Sequence, residues 1–163
     1  MSDKIDLTSG NLLEGLAGEI RSPGGPGKFT RSFNQALIAE FRANNGVLTG
    51  ELADSPFLLL TTTGSKSGKQ RTIPLAHIDI DQRILVIASR GGAPVNPTWY
   101  SNLIAHPEVS VELGAETFPA LAVAIEEPER AQLYANVSAH IPVFADYQRR
   151  TDRVIPIVEL RRL

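Results

Sequence analysis

The apolar and polar positions divide the chain into a helical first part and a β-rich remainder. In TRSFNQALIAEFRANNG (30–46), Phe33, Leu37 and Phe41 recur every four residues, with Ala36 and Ile38 beside them. That spacing predicts an amphipathic helix of about four turns, capped by Thr30 and stopped at Asn44-Asn45-Gly46. Its apolar face suits packing on a core. Contact with a membrane surface is the alternative, weakly supported by Arg31 and Arg42 as its only basic residues. Ahead of it, residues 1–29 end in the Pro- and Gly-rich RSPGGPGKF and predict a flexible segment leading into a single domain spanning 1–163.

From Phe57 the period shortens to that of strands. FLLLTTT (57–63) is one run, and the stretch 71–80, containing TIPLAHIDI, alternates as a second. ILVIAS (84–89) is apolar and β-branched throughout, which predicts burial on both faces. Asp81-Gln82 between the last two is a tight hairpin link. PTWYSNLIAHP reads as a short helix opened by Pro97 and stopped by Pro107. EVSVELG (108–114) and ETFPALAVAIE (116–126) form a hairpin around Gly114-Ala115, EPERAQLYANVSAH is a further helix, and VIPIVEL (154–160) is a closing strand. Six strands with hairpin links and inserted helices predict a mainly β, α+β fold: an antiparallel sheet curled into a barrel. Strand and helix do not alternate as a doubly wound sheet requires.

Composition narrows the function. The chain has 163 residues, a net charge of −2 and no cysteine. The charge argues against a general nucleic-acid binder, and the cysteine count excludes disulfides, zinc–thiolate sites and thiol catalysis. That usage suits a cytoplasmic protein. The N-terminus lacks a signal-peptide core, and no run approaches the ~18 apolar residues of a membrane span.

The chemistry concentrates in two loops. TTTGSKSGKQR (61–71) brackets Ser65, Lys66 and Ser67 between Gly64 and Gly68, and adds Lys69 and Arg71 with no acid from Pro56 to Ile78. It is not a P-loop: only three residues separate the glycines, Gln70 follows Lys69, and a strand follows where a helix is required. The glycines, hydroxyls and cations nevertheless suit an anion; a solvated hairpin tip is the alternative reading. The second loop, ASRGGAPVNPTWYSN (88–102), offers Ser89, Arg90, Gly91-Gly92, Asn96 and Asn102 beside Trp99 and Tyr100. Together they predict a pocket for a phosphorylated planar cofactor.

TTTGSKSGKQRTIPL, ASRGGAPVNPTWYSNLIAHPEVSVELG and DYQRRTDRVIPIVEL together resemble the deazaflavin-dependent nitroreductase family, over about Asn45 to Leu160. The resemblance implies a split β-barrel that binds the 8-hydroxy-5-deazaflavin coenzyme F420. It assigns phosphate and tail contacts to Ser65, Lys66, Ser67 and Arg71, and places Thr72, Ile73, Pro74, Leu75 and Ala76 along the cofactor. Ile87, Ala88, Ser89 and Arg90 would line the deazaflavin, and Thr98, Trp99, Tyr100, Ser101 and Asn102 would close the other side. Hydride delivery from the reduced ring needs orientation and exclusion of water rather than a nucleophile. Ser89 and Tyr147 are the candidate catalytic residues; Ala76, Ile141, Phe144 and Tyr147 are the candidate substrate wall. Family members active on nitroimidazoles carry tyrosines where this chain has Ile141 and Phe144, and often at the position of Ala76. The implied activity is therefore reduction of a small planar apolar quinone or enone, with nitroaromatics disfavoured.

Other readings stay open at this point: a flavin mononucleotide (FMN) oxidoreductase on the same barrel, a non-catalytic deazaflavin carrier, or a peripheral protein at the inner face of the membrane. The chain is expected as a monomer or homodimer. His77, His106 and His140 lack metal-ligand spacing and read as structural or exposed. Arg149, Arg150 and Arg153 read as a solvated face, with Arg153 alternatively reaching an anionic tail.

Overall fold

The computed structural model describes residues 28–50, 53 and 56–163. The expected flexible segment 1–29 lies outside the described residues except for Lys28 and Phe29, which belong to helix α1 (Lys28–Ala43). Thr30 is therefore inside the helix rather than its cap.

The other elements follow in chain order. Strands β1 (Phe57–Thr63), β2 (Gln70–Ala76), β3 (Ile78–Ile80) and β4 (Arg83–Ile87) lead to a 3-10 turn at Arg90–Gly92 and helix α2 (Thr98–Ala105). Strands β5 (Glu108–Leu113) and β6 (Glu116–Ala124), helices α3 (Glu129–His140) and α4 (Val143–Arg149), and strand β7 (Ile157–Arg162) complete the described chain. All strands lie in one antiparallel sheet of order β2-β1-β5-β6-β7-β4-β3, curled into a half-barrel. The hairpin turns have the residues their geometry needs: Asp81 and Gln82 sit at φ 52° and 64°, and Gly114 at φ 62°.

The expected second strand is two. Inward-facing positions are odd in β2, where Ile73 and Leu75 pack into the barrel interior, and even in β3, where Ile78 and Ile80 join a different cluster. The phase changes at His77, which is buried, donates its backbone N–H to the Pro56 carbonyl (2.9 Å) and pairs through Nδ1 with Asp79 (2.8 Å). β2 and β3 are the two edges of the sheet, joined by this one residue. The barrel is thus closed covalently at His77 and unpaired beyond it. β2 bonds only to β1, and Val86 and Ile87 bond only to β7.

Three apolar clusters use the two faces of the sheet. The interior one draws Leu58, Leu60, Val86, Val111, Ala120 and Val158 together with Trp99 and Leu103 of α2. A second, outside the curl, packs α3 and α4 on β3, Leu85 and Ile157. Leu85 and Val86 therefore bury on opposite faces, as the β4 pattern predicts, although the strand ends at Ile87 rather than at Ser89.

The third cluster settles the role of α1. Leu37 and Phe41 are 3% and 2% exposed and pack with Leu48, Phe57 and Leu59, and with partly buried Phe33, Ile38 and Ala76. Burying each such side chain is worth about 1.5–3 kcal/mol. The apolar stripe is spent on the sheet, and is not left for a lipid surface. Arg42 fixes the same end by a two-pronged pair with Glu112 (both contacts 3.0 Å). No described helix is long and apolar enough to cross a membrane.

Candidate functional site

The β1–β2 hairpin carries the cation-rich loop at its tip. Thr63 and Gln70 are the last paired residues, and Gly64 N–H donates to the Lys69 carbonyl at 2.8 Å. Gly68, at φ 68°, donates back to Gly64 (3.0 Å), and the Lys69 N–H meets Ser67 Oγ (3.2 Å). Asn102 of α2 is the anchor beneath. It is 4% exposed, its Oδ1 accepts from the Ser65 N–H (3.0 Å), and its Nδ2 donates to Thr62 Oγ1 (3.2 Å). Asn102 therefore holds the loop rather than facing a ligand. With four N–H groups engaged, the backbone donors left for an anion are those of Lys66 and Ser67.

The charges around this loop are uncompensated. Lys66, Lys69 and Arg71 are exposed and form no ion pair among the described residues; nor does Arg90. Several other arginines are matched to carboxylates: Arg42 with Glu112, Arg83 with Glu159 and Glu129, Arg162 with Glu116. A cluster of cations without carboxylate partners is suited to an anionic partner.

The strand leading from the loop is apolar yet nowhere fully buried. Thr72, Ile73, Pro74, Leu75 and Ala76 are all half-buried. Thr72 shares a 2.7 Å hydroxyl contact with Thr61 across the ladder. Ile73 and Leu75 face the interior cluster, whereas Ala76 packs toward α1. Ile78 pairs with Leu85, so β4 returns alongside the unpaired edge of β2. Counted along an unbroken strand, Ile87 comes level with Ala76 and Ser89 with Pro74. Ile73, Leu75, Val86 and Ala88 share one cluster, which brings the two free edges together.

The loop after β4 is shaped by three consecutive left-handed residues, Arg90 (φ 46°), Gly91 (φ 63°) and Gly92 (φ 81°). A side chain at Gly92 would meet the Tyr147 carbonyl oxygen at 2.6 Å and Arg150 Cβ at 2.9 Å, so the loop lies directly on the backbone of α4. Arg153 holds it from below. Nε donates to the Ala93 carbonyl (2.8 Å), Nη2 to the Ser89 carbonyl (2.8 Å), and Nη1 to the Ala88 carbonyl (3.2 Å) and Asn96 Oδ1 (2.7 Å). All four acceptors are uncharged. Burial, with Arg90 nearby as a smaller cause, pushes the Arg153 guanidinium below its usual range against the opposing influence of Tyr134. Gln148 fixes Arg153 in turn, donating to its carbonyl at 2.7 Å and accepting from the Ile155 N–H at 3.1 Å. Arg153 is thus a clamp on the loop and not part of a solvated face.

The remaining candidates fall into two groups. Ser89 is half-buried, its carbonyl is held by Arg153, and its hydroxyl has no partner among the described residues. Trp99 is 8% exposed and packs in the interior cluster with Ala88, edge-on to half-buried Tyr100; Thr98 and Ser101 are exposed. Ile141, Phe144 and Tyr147 are 3%, 6% and 5% exposed and lie within the α3–α4 cluster. The Tyr147 ring meets Phe144 edge-on at 5.8 Å, with Arg150 over its face at 5.7 Å. These three are buried rather than set on an open wall, and Tyr147 underlies the loop at Gly92. Gln148, which orients Arg153, was unassigned from the sequence, and Gly92, named there as part of the loop, also allows the loop to touch α4. His106 and His140 are exposed, and no cluster of His, Asp and Glu fit for a metal exists among the described residues.

The sequence profile of F420H(2)-dependent quinone reductases matches residues 34–161. An F420H(2)-dependent quinone reductase of Mycobacterium tuberculosis (strain ATCC 25618 / H37Rv) is 36% identical over 128 residues, covering 76% of this chain and 86% of that protein. A solved F420-H2 dependent reductase, FDR-A, is 39% identical with a TM-score of 0.58, covering 65% of this chain and 94% of its own. Another solved structure, described as a domain-swapped dimer, is 36% identical with a TM-score of 0.61, covering 84% of this chain and all (100%) of its own.

Proposed function

The chain belongs to the F420H(2)-dependent quinone reductase family, and from that premise we propose that it reduces a small planar apolar quinone with coenzyme F420H2 along the open edge of β2. The observation that carries this reading is the continuity of one surface. Lys66, Lys69 and Arg71, unpaired among the described residues, lead into a half-buried apolar strand, and Ser89, whose hydroxyl has no partner among those residues, falls level with Pro74 within it when the β3–β4 register is extended.

The residues fit the cofactor. A deazaflavin with an anionic phosphate–glutamate tail needs cations without competing carboxylates at one end and apolar walls at the other, and both are present here. When bound, F420H2 supplies a hydride from its deazaflavin ring. The protein's part is positional. Lys66, Arg71 and the hydroxyls of Ser65 and Ser67 hold the tail. Ile73, Pro74, Leu75 and Ala76 give the ring a water-poor flank. The Ser89 Oγ–H is available to donate to an acceptor carbonyl oxygen, favouring the charge that develops there as hydride arrives.

Quinones are expected to outperform nitro compounds. The apolar flank of Ile73, Pro74, Leu75 and Ala76 rewards burial of a flat apolar ring, and Ser89 supplies a single hydroxyl donor, enough for one quinone carbonyl and short of the two oxygens of a nitro group. The test is single-turnover oxidation of F420H2 followed by absorbance, with menadione and a bicyclic nitroimidazole in turn. Equal or faster turnover with the nitroimidazole would overturn this assignment of the acceptor.

A homodimer is part of the same proposal, supported by the related domain-swapped structure. Light scattering on the purified protein should give twice the 17.7 kDa chain mass; a monomer at micromolar concentration would remove this element.

A further inference from the structure

We propose that Arg153 is the positioning residue of the ring slot: it holds the 88–96 loop in its ligand-ready shape through four uncharged acceptors and does not touch the anionic tail of the cofactor. This rests on the cofactor reading above and deepens it.

The argument starts from valence. A guanidinium has five N–H donors in a fixed fork and no acceptor. In Arg153 the fork is turned on the carbonyls of Ala88, Ser89 and Ala93 and on the Asn96 amide oxygen, at 2.7–3.2 Å. These acceptors span the loop from its first residue to the one before Pro97, which opens α2. One side chain therefore sets where the Ser89 hydroxyl points and how Arg90 to Gly92 cross α4. The other contacts made to the loop are one each: Arg150 Nη1 donates to the Gly91 carbonyl (3.3 Å), the Ala88 N–H to the Pro156 carbonyl (3.0 Å), and Gly92 rests on α4. The loop's own backbone bonds are Gly92 to Ser89 (2.9 Å) and Ala93 to Arg90 (3.1 Å), and three of its residues are left-handed.

Arg153 is itself fixed. Gln148 grips its carbonyl (2.7 Å) and the following Ile155 N–H (3.1 Å), and Arg130 donates to the Ile155 carbonyl (3.0 Å). The chain of contact runs from α3 and α4 through 153–155 to the loop. A residue meant to reach an exposed anion would be left mobile at its tip. This one has its tip occupied. Lysine keeps the charge but offers a single ammonium, which cannot span acceptors along nine residues of loop.

The experiment separates positioning from charge with two probes: F420 itself and the tailless 8-hydroxy-5-deazaflavin riboside, which lacks the phosphate and glutamates. Dissociation constants and the absorbance of the bound chromophore are measured for the parent, Arg153→Lys, Asn96→Ala and Arg149→Ala. Arg149 pairs with Asp146 on the surface and touches none of the loop acceptors, so its variant controls for lost charge. Arg153→Lys is expected to weaken both probes by the same factor, about ten-fold or more for the loss of charge-assisted hydrogen bonds, and to move the bound absorbance toward that of free chromophore. Asn96→Ala should cause a smaller loss, again equal for both probes, and stands in if Arg153→Lys fails to fold. Arg149→Ala should bind like the parent. A loss confined to the tailed coenzyme would overturn the proposal, because Arg153 would then be a tail contact. Unchanged binding of both probes to Arg153→Lys would overturn it as well. If the parent binds neither probe, the cofactor reading fails by itself. Amide exchange of the ligand-free chain then decides the clamp: faster exchange across 88–96 in Arg153→Lys supports it, and unchanged exchange removes it.

Discussion

Alanine in place of Lys66 or of Arg71 is expected to weaken F420H2 binding by ~1.5–3 kcal/mol each, roughly 10- to 150-fold, the range for hydrogen bonds to charged groups. Both side chains are exposed, and neither has a carboxylate partner among the described residues, so each is free to meet an anion without first breaking an ion pair. Lys69→Ala should cost less, about 0.5 kcal/mol, because it removes general positive charge rather than an assigned contact. The measurement is a fluorescence titration of the deazaflavin at two ionic strengths. The two costly variants should also show a flatter dependence on salt, since they have lost the screened interaction. Parent-like affinity in Lys66→Ala and Arg71→Ala together would remove the phosphate assignment of the 64–71 loop.

The second large effect is on the fold around the slot. Gly92→Ala should destabilise the protein by about 3 kcal/mol, combining left-handed strain with overpacking. At φ 81° the new Cβ would lie 2.6 Å from the Tyr147 carbonyl oxygen and 3.1 Å from its Cα, neither of which is a flexible tip able to move aside. Gly114→Ala is the matched control, with φ +62° and nothing within 4 Å of the added carbon, so it isolates the backbone term of roughly 1 kcal/mol. For a chain of this size the contrast corresponds to a thermal midpoint lower by about 6–12 °C for Gly92→Ala against about 2–4 °C for the control. Equal midpoints would mean that the 88–92 loop does not rest on α4.

Much of this architecture is legible in the sequence, for reasons that can be traced to individual residues. Alternation located the strands, and Asp81-Gln82 and Gly114-Ala115 marked hairpins that form as expected. What was not legible depends on tertiary contact. The break at His77 is written as a change of phase, Ile73 and Leu75 against Ile78 and Ile80, but an alternating reading runs straight through it. Helix α4 was missed although Val143, Phe144 and Tyr147 have helical spacing behind Pro142, because seven residues are too few for periodicity to stand out. The closing strand was placed too early. Residues 153–155 are claimed by Gln148 and Arg130 before the ladder begins at Ile157.

The features of the candidate site were legible in composition and less so in the part each side chain plays. The acid-free stretch around Lys66, Lys69 and Arg71 does correspond to unpaired cations. Asn102 read as a cofactor contact, yet its two polar atoms are occupied by Ser65 and Thr62. Arg153 read as surface charge or as a tail contact, because no local pattern shows that four acceptors from another segment converge on it. Both residues point to the same lesson: a polar side chain in a suggestive motif can be there to shape the backbone around it.

The position of β7 has a consequence for how the molecule assembles. This strand lies between β6 and β4, and Leu160 is matched to Ala122 on one side and to Ile84 on the other. Take it away and the sheet separates into two pieces, β2-β1-β5-β6 and β4-β3, held only by the backbone at His77 and by side chains. The hairpins β1–β2, β3–β4 and β5–β6 form between near neighbours in sequence, but the β1–β5 pairing and both sides of the β7 seam join residues far apart along the chain. Such a pairing is slow, since loop entropy is lost before the contacts reward it. Arg153, Ile155 and the end of β4 all border that seam. The edges that flank the slot therefore depend on sequence-distant pairing, and a chain that lacks it keeps open strand edges.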